Sequence, residues 1–82
     1  MKNNLNKSEP VEVMALFNYS RCPCQPLRFK RRTGREVEVT ELLRSNVKFV
    51  GDVAKHIFVC LAGAHEYRLE FDSSSLAWRL TP

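Results

Sequence analysis

The sequence predicts an all-β fold: a small antiparallel meander of five or six strands closing into an SH3-like or similar barrel. Three observations carry this. Apolar and polar residues alternate in several short runs, turn signals separate the runs at intervals of about 8–12 residues, and no segment sustains a helical period.

The runs are best taken in chain order. Residues 1–10 are polar, rich in Asn and Lys and closed by Pro10, which predicts a flexible N-terminal tail ahead of one domain over residues 11–82. In the first run Val11, Val13, Ala15 and Phe17 share a face. Glu12, Met14 and Leu16 share the other, and the apolar character of both faces after Glu12 predicts a strand covered on both sides. Asn18 to Pro26, with two prolines, reads as a loop. Leu27, Phe29 and Arg31 then alternate with Arg28, Lys30 and Arg32 up to Thr33-Gly34, where glycine supplies the backbone freedom of a hairpin turn. Val37 and Val39 continue inward between Glu36 and Glu38. The phase breaks at Leu42-Leu43, as a bulge, a bend or one helical turn would break it. Val47 to Val50 forms a further short strand ended by Gly51-Asp52. Ile57, Val59 and Leu61 alternate with His56, Phe58 and Cys60. Beyond Gly63-Ala64, Tyr67, Leu69 and Phe71 form one stripe, and beyond Ser73-Ser74-Ser75 the residues Leu76, Trp78 and Leu80 form the last. The expected core is Phe29, Val39, Ile57, Val59, Leu69, Phe71 and Trp78.

Composition bounds the rest. The 82 residues make one domain, and a chain this short buries only about 60% of its extended surface, so its core is thin. A hydrophobic share of 44% against 27% charged residues is that of a globular chain. No apolar run reaches the roughly 20 residues of a membrane span, and the first residues have no apolar stretch of a secretory signal. The expected location is therefore the cytoplasm, with no membrane partner. Three cysteines cannot all pair within one chain, which fits reduced thiols.

In order along the chain come Pro26-Leu27-Arg28-Phe29, a glycine hairpin, Ile57-Phe58-Val59-Cys60, Tyr67-Arg68-Leu69-Glu70-Phe71-Asp72 and Trp78-Arg79-Leu80. Over Val11 to Leu80 this order resembles a scattered group of short, functionally uncharacterised bacterial proteins that form small β-barrels. The resemblance implies the fold and no site residues.

Two features carry chemistry. Of the thirteen basic residues, six lie between Arg21 and Arg35 with no acid among them. The other seven stand against nine acids, so the rest of the chain is net −2. Arg28, Lys30 and Arg32 project from one strand face about 7 Å apart, with Arg35 past the turn. Such a stripe can neutralise phosphates along a nucleic-acid strand, and Tyr19 can stack on a base. The competing expectation is a solvated hairpin whose cations pair with Glu36, Glu38 and Glu41. The second feature is Cys22, Cys24 and Cys60, with His56 and His65 near in sequence. Zinc takes about four such ligands, but Cys-x-Cys is not knuckle spacing, and a cysteine in an apolar strand packs as a small hydrophobe. No metal or other cofactor is expected. Nor is catalysis, since no hydrolase motif is present and so small a core leaves little room for a closed pocket. The function expected is a protein–protein interaction or adaptor module, by an exposed edge strand or by self-association. The alternative is an accessory nucleic-acid binder using residues 21–35.

Overall fold

The computed structural model describes residues 8–17 and 24–82, which fold without a helix into seven β-strands. β1 (Glu9–Phe17) and β2 (Cys24–Lys30) precede the short β3 (Glu36–Glu38). A long hairpin of β4 (Glu41–Val50) and β5 (Val53–Ala62) follows, and β6 (His65–Asp72) and β7 (Ala77–Thr81) complete the set. All neighbours are antiparallel, in the order β3-β2-β1-β7-β6-β5-β4. The first strand thus lies beside the last at the centre, and the two edges, β3 and β4, are consecutive in the chain.

That arrangement forces the sheet to curl into a half-barrel. Only Val39 and Thr40 separate the edge strands, and they bond in opposite directions. Val39 N–H donates to the Leu27 carbonyl on β2 (2.9 Å), and Thr40 N–H donates to the Leu61 carbonyl on β5 (2.8 Å). The Thr40 hydroxyl reinforces the junction, donating to the Leu61 carbonyl (3.1 Å) and accepting from Gly63 N–H (3.2 Å). Beyond this point β3 and β4 diverge, and among the described residues no ladder joins them.

The concave face holds the core: Cys24, Phe29, Val37, Phe58, Cys60, Leu69, Phe71, Trp78 and Leu80. Register explains its make-up, because residues directly opposite on adjacent strands share a face. One row runs Val47, His56, Phe71, Trp78 and Val11 across five strands. Trp78 stacks on Phe58 with ring centres 5.6 Å apart and lies 4.8 Å from Phe71. Two-residue loops, Gly51-Asp52 and Gly63-Ala64, close the β4–β5 and β5–β6 hairpins, with both glycines at positive φ.

Several expectations from sequence need correction. The strands number seven, and the break at Leu42-Leu43 is a bulge within β4 through which the hairpin continues. Glu9 and Pro10 belong to β1, paired with Leu80 and Arg79; residues 1–7 of the expected tail lie outside the described residues. Met14 and Leu16 are exposed, so β1 is covered on one face only. Leu27 is 38% exposed, because the β1–β2 register shifts between Met14 and Ala15 and turns both Leu27 and Arg28 outward. On β5 the concave residues are His56, Phe58 and Cys60. Ile57 is half-buried on the convex face, and Val39 is half-buried at the junction. Val59 is buried on the convex side, directly opposite Arg44 and Arg68, whose aliphatic stems can shield it.

Candidate functional site

The basic hairpin of β2 and β3 is only partly free. Arg28 stands opposite Glu38 in register, with Nη1 3.8 Å from Glu36 and Nη2 4.0 Å from Glu38. All three side chains are solvent-exposed, so each contact contributes little, about 0–1 kcal/mol. Lys30 lies between Glu12 on β1 and Glu36 on β3, directly opposite each. The outward face of this hairpin therefore carries two cations among three acids. Glu41 does not join them; it pairs in register with Leu61 on β5.

Arg31 turns away from that face. Its Nη2 donates to Glu9 Oε1 at 2.7 Å, and Arg32 N–H donates to Glu9 Oε2 at 2.9 Å. These two hydrogen bonds, with the guanidinium charge beside them, hold the Glu9 carboxyl down at about 2, and the bond to the Glu9 carboxylate raises Arg31. The side chains of Arg32 and Arg35 are exposed in the turn, and no described acid lies within ion-pair distance of them or of Lys30. Tyr19 and Arg21 lie outside the described residues; β2 ends at Lys30 and Arg32 lies in the turn, so only Arg28 and Lys30 of the expected stripe share a strand face.

Among the described residues the thiols do not gather into a ligand set. Cys24 and Cys60 are both fully buried in the core, and burial pushes the Cys60 thiol up. Cys22 lies outside the described residues. His56 faces the core beside Phe71, while His65 sits at the β5–β6 turn near Tyr67. Among the described residues no three His, Cys, Asp or Glu side chains converge on a metal position.

A different surface emerges at β4. This strand pairs with β5 alone, and among the described residues nothing pairs with its outer edge. Ser45, Val47 and Phe49 lie opposite Phe58, His56 and Ala54 and so point to the concave side. They extend the core stripe one strand past the region that β1–β3 cover: Val47 is 47% exposed and Phe49 70%. Nearby, Phe17 at the end of β1 is 63% exposed and meets Phe71 edge-on at 6.3 Å. His56 lies between Val47 and Phe71 in the same row, and its buried Nδ1 has no hydrogen-bond partner. On the convex side β4 presents Arg44, Asn46 and Lys48, opposite Val59, Ile57 and Lys55.

The run Val47-Lys48-Phe49-Val50 reads from sequence as a strand but not as an edge, because strand order depends on pairings that local pattern does not encode. No protein-family model matches the chain, and no curated protein or solved structure is significantly similar to it.

Proposed function

We propose that the protein is a non-enzymatic interaction module of the small-barrel kind, binding a partner protein by adding a strand to the outer edge of β4. A sheet edge offers a row of backbone donors and acceptors, and proteins ordinarily shorten, bulge or cover such edges. Here the bulge at Leu43 lies near the start of the strand, leaving seven residues from Arg44 to Val50 beyond it. The observation that carries the reading is the exposure of Val47 and Phe49 along an edge that no described strand pairs with. Strand addition fits such a surface, with main-chain hydrogen bonds giving affinity and alternate side chains giving selectivity.

The test is selection of a random peptide library on the immobilised full chain, with winners re-measured on Phe49→Ser. Exposed substitutions of this kind shift stability by only about 0.5 kcal/mol, so lost binding reports on the edge. Winners that bind wild type and Phe49→Ser equally would refute the reading.

A second reading, an accessory nucleic-acid binder, rests on Lys30, Arg32 and Arg35, which face no described acid at ion-pair distance. It ranks lower because Glu12, Glu36 and Glu38 share the surface of Arg28 and Lys30 and reduce the field available to a phosphate.

A further inference from the structure

Taking β4 as a binding edge, we infer that its partner is an extended protein segment in which apolar and acidic residues alternate. The apolar side chains cover Val47 and Phe49, and the carboxylates meet Arg44 and Lys48.

The inference follows from charge and strand period together. From Leu42 to Val50, β4 contains two cations and no acid. No described acid lies within ion-pair distance of Arg44 or Lys48. One strand inward the balance differs, since Lys55 is answered by Glu70 at 4.0 Å. The cations without an ion-pair partner among the described residues thus sit at the margin of the sheet. Arg44 and Lys48 share the convex side, whereas Ser45, Val47 and Phe49 share the concave side. A strand added to this edge keeps its own two-residue period in phase with β4. It must therefore present apolar groups on one face and is favoured by carboxylates on the other.

The same geometry disfavours a second copy of this chain. Antiparallel pairing of β4 with its own twofold mate places both Arg44 and both Lys48 side chains on one face of the joined sheet. Like charges across neighbouring strands destabilise the pairing, and edge cations are a common device against self-association.

The experiment titrates the full chain into three fluorescein-labelled peptides of about eight residues, near ordinary strand length. One alternates Asp or Glu with Val, Ile and Thr, the second has Lys in place of each acid, and the third has the acidic composition in block order. The alternating acidic peptide should bind at least about tenfold more tightly than the other two and weaken between about 50 and 300 mM salt. The double variant Arg44→Glu/Lys48→Glu should invert the preference towards the Lys peptide, and Phe49→Ser should weaken binding of either. Equal binding of the acidic and Lys peptides, still lost in Phe49→Ser, overturns the acidic partner and leaves the edge reading standing. Dimers that form with rising concentration and vanish in Phe49→Ser, without peptide preference, put a second copy there instead. Binding of no peptide by a monomer, with library winners indifferent to Phe49→Ser, removes both the inference and the reading beneath it.

Discussion

Arg31 and Glu9 form the shortest ion pair among the described residues, 2.7 Å from Nη2 to Oε1, and join segments 22 residues apart in the chain. Glu9 also opens the ladder with β7, opposite Leu80. One carboxylate therefore ties the β2–β3 turn to the centre of the sheet, where the first and last strands meet.

The pair makes stability depend on acid. The Glu9 carboxyl sits at about 2 in the folded chain against 4.5 ordinarily, so protonation favours the unfolded chain. Its contribution is complete above the ordinary value and disappears as pH falls from about 4.5 towards 2. Glu9→Gln should cost roughly 1–2 kcal/mol at pH 7, the order of a charge-assisted hydrogen bond in a partly solvated site. It should also flatten that acid limb. Urea unfolding at several pH values checks this; a variant as acid-sensitive as wild type would show that other carboxylates dominate.

Trp78 anchors the concave face between Phe58 and Phe71. Removing the indole leaves a cavity that two aromatic neighbours cannot both fill. Trp78→Ala should cost about 3–5 kcal/mol and, in so small a domain, approach complete unfolding. A cooperative melt with a loss below about 1 kcal/mol, on the same scale, would mean that Trp78 is not packed as described.

Leu76 presents the opposite case. It has φ of 60° in the β6–β7 turn and a side chain 72% exposed. The turn is held by Asp72, whose Oδ1 accepts from the Ser74 hydroxyl, Ser74 N–H and Ser75 N–H, lowering its pKa. Leu76 itself contributes a backbone bond, N–H to the Asp72 carbonyl at 2.8 Å. Glycine keeps that bond and relieves the left-handed conformation, which costs an L-residue about 1–2 kcal/mol, against an entropic penalty of roughly half that. Leu76→Gly should therefore raise the melting temperature. A lower value would show that the exposed leucine makes contacts that outweigh the strain.

Alternation made most of this fold legible. The stripe Tyr67/Leu69/Phe71 falls where period two places it, and of Leu76/Trp78/Leu80 the last two do, because β6 and β7 are regular and one-sided. Leu76 does not, because it lies in the turn before β7 begins at Ala77 and is exposed. The failures sit where a second constraint intervenes. At Leu27 one extra residue opposite Met14 and Ala15 reverses the phase. On β5 both faces are apolar, so the pattern does not choose between Ile57 and Phe58; the choice falls to neighbouring strands, which put Leu69 opposite Phe58 and Glu70 opposite Ile57. The hairpin cations were equally visible, but which glutamates oppose them depends on the β2–β3 register. The β4 edge was the least legible, since being an edge is a property of the whole sheet.

The last prediction separates protein binding from nucleic-acid binding. Salt dependence reports how many phosphates are neutralised, with a log–log slope near 0.7 per contact on a single strand. If Arg28, Lys30, Arg32 and Arg35 all contributed, the slope would approach roughly three. Arg28 is instead held beside Glu36 and Glu38, and Lys30 faces Glu12 and Glu36. That leaves Arg32 and Arg35, exposed in the turn. A fluorescent mixed-sequence oligonucleotide should therefore show negligible binding at about 150 mM salt, where exposed charges are screened beyond roughly 8 Å. The variant Glu36→Gln/Glu38→Gln should release Arg28, reduce the opposing field beside Lys30 and strengthen low-salt binding with a steeper slope. Replacing Arg28, Lys30 and Arg32 by Gln should abolish any salt-sensitive signal without unfolding the domain, because exposed changes cost little. Firm wild-type binding at about 150 mM salt, indifferent to the glutamate changes, would reverse the ranking and make the hairpin the functional surface.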